Sequence, residues 1–234
     1  MTRQHIVFLT GAGISVESGL TTFRGKDGLW NNKNWRYYAS VEGLDNEPEE
    51  SLKFYNWLRL KVSEAEPNKA HRLIAELEKE HQVTVITQNV DNLHERAGST
   101  DVIHIHGELV KVCSSRNRLD SRYIKDYPLT TPIQLGDDAG DGSQMRPFIV
   151  LFGEYVSGME KAVELVKYAD IFVVVGTSLA VHPAASLIHC AHKEVPKFVI
   201  NPDDMPACDE LDYVHIRATA CKGMEILLEK FELL

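Results

Sequence analysis

Two short stretches near the middle of the chain crowd together side chains able to move protons. They are Thr87-Gln-Asn-Val-Asp91 and Ile103-His-Ile-His-Gly-Glu108. Gln88, Asn89, Asp91, His104, His106 and Glu108 interleave with Val83, Val85, Val102, Ile103 and Ile105 at a spacing of two. That alternation predicts strands whose ends carry polar groups to a cleft. Histidine is the side chain whose ordinary pKa suits it to act as a base near neutral pH. A half-buried strand also accommodates histidine as a purely structural residue, so its neighbours must decide.

The first such neighbour is the N-terminal run Thr10-Gly-Ala-Gly-Ile-Ser-Val-Glu-Ser-Gly19, which follows the apolar strand Ile6–Leu9. A strand feeding a glycine-rich turn and then a helix start is the layout of a dinucleotide phosphate site. Glycine lets the backbone approach the pyrophosphate, and a helix N-terminus offers free N–H groups. Gly19 stands too far beyond Gly13 for the common G-x-G-x-x-G spacing, and no acidic residue closes an obvious second strand. A plain tight turn fits the glycines equally well. Arg24, just beyond, could pair with phosphate or position a ribose; an isolated arginine also occurs as a solvated surface group.

These residues need a scaffold, and the chain spells out alternating strands and helices. Strands are expected at Val83–Thr87, Phe148–Phe152, Ile171–Val175 and Lys197–Ile200. Helices are expected at Ser51–Ser63, Asn68–Glu80, Leu93–Ala97, Met159–Ala169, Pro183–Lys193 and Gly223–Leu233. Asn68 is the expected N-cap of its helix and Gly98 closes another. Gly176-Thr-Ser178 falls at the C-terminal end of the most β-branched strand, where open α/β sheets bind ligands. The fold class is α/β: a Rossmann-like, mostly parallel sheet with helices on both faces and a small inserted lobe. Segments 1–30, 81–112 and 148–234 are assigned to the larger domain, and 31–80 with 113–147 to the lobe. The aspartates of Gly136–Gly142 lack the spacing of a calcium loop and read as a solvated turn.

Composition narrows the function. Of 234 residues, 44% are hydrophobic, enough for one globular domain with an insert. Lys and Arg number 25 against 34 Asp and Glu, a net charge of −9, which disfavours non-specific binding to nucleic acid. No apolar run approaches a membrane span and no signal segment is visible. Cys113, Cys190, Cys208 and Cys221 form no C-x-x-C pair, so neither a zinc knuckle nor a disulfide framework is expected. A cytoplasmic protein with reduced thiols is the expectation.

Six motifs then carry a resemblance. Gly11-Ala-Gly-Ile-Ser-Val-Glu-Ser-Gly-Leu-Thr-Thr-Phe-Arg-Gly25, Thr87-Gln-Asn-Val-Asp-Asn-Leu-His94, His104-Ile-His-Gly107, Phe152-Gly-Glu154, Gly176-Thr-Ser178 and Val181-His-Pro-Ala-Ala185 stand in the order found in sirtuins. Sirtuins are NAD-dependent protein-lysine deacylases, and the similarity is greatest to bacterial members, including those related to the desuccinylase class. The resemblance implies that Gly11, Ala12, Gly13, Ile14 and Glu17 hold NAD. It implies that Phe23 and Arg24 cover the nicotinamide ribose, that Asn89 and Asp91 line the nicotinamide pocket, and that Gln88 bonds the ribose. Gly176, Thr177, Ser178, Asn201 and Asp203 would hold the rest of the ADP-ribose, with Ala220 or Cys221 at the adenine. His106 would be the general base and His104 structural. The products would be lysine, nicotinamide and 2′-O-acyl-ADP-ribose. Val150 and Phe152 would line an acyl-lysine tunnel, with the peptide lying between Gly153-Glu154 and the segment Leu179–His182, which includes Val181.

The chain departs from the family pattern in three places. Many sirtuins bind a structural zinc through two C-x-x-C pairs, whereas only Cys113 lies in the corresponding region, so no zinc is expected. The desuccinylase class pairs a tyrosine with an arginine three residues on; here Tyr55 is followed by Leu58 there and by Arg59 one place later. Arg59 could still grip an acidic acyl group, or it could be a solvated side chain. Leu151 stands where a tryptophan is frequent. Two other functions remain open on the residues: a non-catalytic NAD- or ADP-ribose-binding module, and an ADP-ribosyltransferase, which also begins at C1′ of the ribose.

Overall fold

A computed structural model describes residues 3–24, 28–32, 34–205 and 212–231. Gly25, the last residue of the first motif, and Cys208 lie outside them. Six strands form one parallel sheet: β1 (His5–Thr10), β2 (Gln82–Thr87), β3 (Val102–His104), β7 (Ile171–Val175), β8 (Lys197–Ile200) and β9 (Val214–Ile216). Their spatial order is β3-β2-β1-β7-β8-β9. The chain therefore winds outward from β1 in one direction and returns to the other side of it at β7. Ligands collect at the carboxyl ends of strands on either side of such a reversal.

The central strands are near-continuous apolar runs because both faces are covered. Period-two geometry sorts their side chains into two cores. Ile6, Phe8, Val173 and Val175 face one layer, which α5 (Lys69–Leu77) and α8 (Ala220–Phe231) cover with Ala70, Ile74, Met224 and Leu227. Val7, Leu9, Phe172 and Val174 face the other, under α7 (Met159–Lys167) and a 3-10 turn at Ala184–His189. Asn68 caps α5 as expected, accepting hydrogen bonds from the backbone N–H groups of Ala70 and His71. Gly98 ends α6 (Leu93–Ala97) with φ 110°.

The second sheet is antiparallel, in the order β5-β4-β6: β4 (Gly107–Ser114), β5 (Lys125–Asp126) and β6 (Met145–Ile149). The short helices α1 (Leu29–Asn32), α2 (Trp35–Tyr38) and α3 (Val41–Asn46) and the long α4 (Pro48–Glu64) accompany it. Pro48 opens α4 with Glu49 and Glu50 in its first turn, a favourable N-terminus. Its inner face joins β4 and the end of β6 in a core of Phe54, Tyr55, Leu58, Val62, Leu109 and Ile149.

Three expectations shift. The strand expected at Phe148–Phe152 is instead Met145–Ile149. Arg146 and Pro147 resemble a loop in sequence, but the Arg146 guanidinium is buried against Glu154, which lets the strand extend through it. Helix α5, inside the segment assigned to the lobe, covers the large sheet, and β4, starting before 112, belongs to the small one. The expected helix at Pro183–Lys193 is the 3-10 turn Ala184–His189. Among the described residues no helix is long and apolar enough to cross a membrane.

Candidate active site

The turns after β1 and β7 meet at the reversal of strand order. Gly11 donates its N–H to Val175 O (3.0 Å), and Gly13 donates to Gly176 O (2.8 Å). The contact leaves no room for side chains. A Cβ on Gly13 would lie 2.6 Å from Gly176 Cα, and one on Gly176 would lie 2.4 Å from Ile14 N, at a φ of 65°. Glycine here permits two backbones to touch, in addition to any approach by a phosphate. The residues after Gly11 form a 3-10 turn, Ala12–Ser18.

Around this junction opens a cleft of about 490 Å³. It is walled by Gly11, Ala12, Gly13, Glu17, Phe23 and Arg24 from the first turn, and by Gln88, Asn89 and His106 from the ends of β2 and β3. Gly176, Thr177, Ser178, Asn201, Asp203 and Ala220 close the side towards β8. Tyr55, Val150, Phe152, Gly153, Glu154 and Val181 line the side towards the small lobe. These sequence-expected residues are therefore brought together in one space.

Five others are not among the walls. Ile14 is wholly buried in the core behind the turn. Asp91 sits one layer back, accepting from Ser15 Oγ (3.0 Å) and from the Leu93 N–H (3.1 Å). Burial raises its pKa, opposed by those two hydrogen bonds. Asn89 completes the layer by donating to Gly11 O (3.1 Å) and Ser15 Oγ (3.3 Å). Cys221 gives its N–H to Glu17 Oε2 (2.8 Å), which ties the start of α8 to the glycine turn. Leu179 packs against the core under α7 and adopts φ 52°.

Arg59 is the fifth, and it corrects the idea of an anion clamp. Its side chain is fully buried and its guanidinium is spent on main-chain carbonyls. It donates to Thr131 O (2.8 Å), Pro128 O (2.6 Å) and Leu109 O (3.3 Å), and it lies over the Tyr127 ring. Residue i+4 faces a different direction from i+3 around α4, so Leu58 reaches the cleft and Arg59 does not.

The two histidines differ in environment. His106 Nδ1 lies 2.9 Å from Gln88 O. A carbonyl only accepts, so Nδ1 carries the proton and neutral His106 keeps its lone pair on Nε2. Burial lowers the pKa of His106, and the Gln88 hydrogen bond only partly opposes this. His104 Nδ1 lies 3.0 Å from Asn89 O and its Nε2 is 2.7 Å from Glu95 Oε1. Burial alone would lower its pKa too, but the Glu95 and Glu108 carboxylates raise it. Both ring nitrogens of His104 face acceptors, an arrangement that favours its protonated form. Glu95, His104 and Glu108 cluster closely enough to hold a metal, yet Glu95 is engaged by His104 and Glu108 by Lys111 at 2.7 Å.

Glu154 lines the cleft but its carboxylate is held from behind. Arg146 and Arg118 pair with it, and the Leu151 N–H donates to it (2.8 Å). Gln88 lines the cleft, and its Nε2 is buried without a hydrogen-bond partner among the described residues.

Sequence reasoning missed several walls: Val16, Trp30, Ala39, Leu58, Val90, Ile149, Leu151 and Val156 on the apolar side, and Thr22, Pro183, Ile200, Pro202 and Thr219 elsewhere. Ala39, Leu58, Ile149 and Leu151 carry an ordinary core pattern that gives no sign of an adjacent space. Val16, Thr22, Val90 and Pro183 stood inside quoted motifs and could have been found there.

Such a glycine junction, with a neutral histidine beside it, defines a dinucleotide-handling α/β protein. The model of the Sir2 family matches residues 11–183, and the chain belongs to that family. An NAD-dependent protein deacylase of Bacteroides thetaiotaomicron is 48% identical over 225 residues, 96% of each chain. One from Helicobacter pylori is 46% identical over 228 residues, 97% of each. A solved Sir2 homologue–NAD complex is 39% identical with a TM-score of 0.86, covering 99% of this chain and 91% of that one. A Sir2 mutant solved with a deacetylated p53 peptide and 3′-O-acetyl ADP ribose is 29% identical, with a TM-score of 0.82 over 98% and 94% of the two chains.

Proposed function

We propose that the chain is an NAD-dependent protein-lysine deacylase, with His106 as its general base. The observation that carries this reading is the His106–Gln88 hydrogen bond (2.9 Å), which leaves a neutral imidazole nitrogen at the meeting of two half-clefts. One half is the glycine junction, suited to the phosphates and riboses of NAD. The other is an apolar channel through Val150 and Phe152, suited to an acylated lysine side chain.

The residues divide the work. The turn N–H groups and Thr177, Ser178 and Asn201 hold ADP-ribose, and Gln88 Nε2 bonds a ribose hydroxyl. Asn89, braced by Ser15 and Asp91, lines the nicotinamide side. Phe23 screens the reacting carbon from water. His106 Nε2 takes a proton from a ribose hydroxyl, so that this oxygen can attack the carbon of the transferred acyl group. The C1′–nicotinamide bond and the acyl–lysine amide bond both break; with one water, lysine, nicotinamide and O-acyl-ADP-ribose result.

The small lobe needs no zinc in this reading. Ser114 Oγ donates to Asp141 Oδ2 (2.7 Å) and lies 2.8 Å from Ser143 Oγ, while Ser143 donates to Asp141 Oδ1 (2.6 Å). This knot joins the end of β4 to the approach to β6, a task a metal could otherwise perform. Chelator treatment is expected to leave the melting temperature and turnover unchanged; one tightly held zinc per chain would contradict it.

The test is NAD consumption with an acetyl-lysine peptide. Nicotinamide release that depends on the acyl group, with acyl-ADP-ribose in solution, is expected. ADP-ribose left on protein, or NAD bound and not consumed, would replace the deacylase with a transferase or a binding module.

A further inference from the structure

The turn Phe152-Gly153-Glu154 is held in place from outside itself. Phe152 donates its N–H to Ala39 O (2.8 Å) and accepts from the Val41 N–H (3.1 Å), so its backbone is fixed on the α3 side. Gly153 sits at φ 101°, and its N–H and carbonyl make no hydrogen bond among the described residues. Beyond it, two buried guanidiniums grip the chain. Arg146 pairs with Glu154 and donates to Ile149 O (3.1 Å). Arg118 Nε lies 3.4 Å from Glu154 Oε2, its Nη2 donates to Tyr155 O (2.7 Å), and its guanidinium lies over the Phe148 ring. Neither arginine lines the cleft.

The two arginines differ in origin. Arg146 belongs to β6, the strand that leads into the turn, whereas Arg118 comes from the connection between β4 and β5. That connection hangs on the Ser114 knot. Ser114 Oγ accepts the N–H groups of Arg116 (3.1 Å) and Asn117 (3.4 Å) while donating to Asp141. A continuous set of bonds therefore runs from the knot, through Arg118, to the carboxylate and the carbonyl that flank the turn. Stability does not account for this arrangement. Two cations share one carboxylate, and Arg118 Nη1 and Arg146 Nε are buried without partners among the described residues. A buried cluster of this kind is commonly no more stable than apolar side chains of the same volume. What it fixes is the position of the turn.

We infer that Arg118 is a positioning residue for the substrate peptide: it sets the affinity of this edge for an acyl-lysine backbone and carries the state of the Ser114 knot to it. The inference rests on the deacylase reading, in which the peptide pairs with the open backbone groups at Gly153. Arg118→Met removes one of the two cations and leaves Glu154 paired with Arg146 and the Leu151 N–H. No buried charge is then left uncompensated, so the fold should tolerate the change. The turn loses its hold on the β4–β5 side, while the glycine junction of the other half-cleft keeps all its contacts.

The experiment is steady-state kinetics of the whole protein with NAD and an acetyl-lysine peptide, alongside thermal melts. In Arg118→Met the peptide KM should rise about tenfold, the weight of one charge-assisted hydrogen bond, with kcat and the NAD KM close to wild type. Arg118→Lys, which can meet Glu154 or Tyr155 O but not both, should fall between. Ser114→Ala should raise the peptide KM as well, and should add little in the Arg118→Met background. No effect of Ser114→Ala, or full additivity, overturns the link to the knot. An unchanged peptide KM in Arg118→Met overturns the inference and leaves the deacylase intact. So does a loss of NAD affinity and kcat as large as the loss of peptide affinity, which marks a general structural role. If Arg118→Met does not fold, Arg118→Lys is judged by the same outcomes. A wild type that turns over no acyl peptide overturns the deacylase reading and the inference with it.

Discussion

His104 and His106 lie two residues apart and face opposite electrostatic conditions. His104 faces a carboxylate and a carbonyl, which raise its pKa and favour the charged form. His106 meets a carbonyl and burial, and is held neutral. A base works in its neutral form, so a lowered pKa moves the loss of activity to more acid pH. The acid limb of a kcat/KM–pH profile is therefore expected below 6.5, the ordinary value for histidine. A limb above 6.5 would point to a histidine in the condition of His104. Sequence alternation indicated that one of the two should face the site. It could not say which, because the hydrogen-bond partners, Gln88 O and Glu95, come from other elements; the family motif made the choice. Arg59 shows the same limit, since its acceptors lie about 50 to 72 positions further along the chain.

The elements that matter most are the two turns pressed together at the strand reversal. Gly176→Ala would put a Cβ 2.4 Å from Ile14 N and force a side chain into φ 65°. The expected cost is about 2–4 kcal/mol of stability, with NAD affinity lost in the same step. Thermal melts and an NAD titration check it; an unchanged affinity would mean that the turns can part without harm. Helix α4 gives a second case. Arg59→Met strands several buried carbonyls, and a loss of about 2–4 kcal/mol is expected from urea unfolding. If the variant instead kept its stability and lost only affinity for acyl peptides, Arg59 would be a substrate ligand. Strands β1, β7 and β8 were legible because fully buried parallel strands are continuous apolar runs. Strand β6 was misplaced because its Arg146 is buried by a partner eight residues away, and local pattern does not carry that information.

At the scale of the molecule, two apolar layers enclose one sheet, and titratable groups are trapped between them and the site. His71 is fully buried, its ring 4.9 Å from that of His94, and its Nε2 and the His94 Nδ1 have no partner. Burial first, then nearby Arg72, lowers the His71 pKa to about 4. Burial also lowers that of His94. The unfolded chain therefore binds protons that the folded chain refuses. Stability is complete above pH 6.5 and is lost as pH falls from 6.5 towards 4, by on the order of 3 kcal/mol for His71 alone. His104 works in the opposite sense, since its raised pKa favours the folded state on the acid side. Urea midpoints at pH 7 and pH 5 test the balance: a lower midpoint at pH 5 is expected, and a smaller fall in His71→Phe. Equal midpoints would mean that water reaches the pair. The α/β class and the ligand-binding edge of the sheet could be read from the sequence. The small lobe's share of the cleft was legible only in part: Tyr55 was expected there, but Ala39, Leu58 and Ile149 were not, because they pack as ordinary core residues.

The most direct measurement is mass spectrometry of NAD and an acetyl-lysine peptide incubated with wild type and with His106→Ala. Wild type should yield acyl-ADP-ribose and free lysine peptide in equal amounts. The variant should still bind NAD, with product formation reduced at least about a hundredfold. Acyl-ADP-ribose formed by the variant at the wild-type rate would show that the base is another group and would contradict the assignment of this cleft.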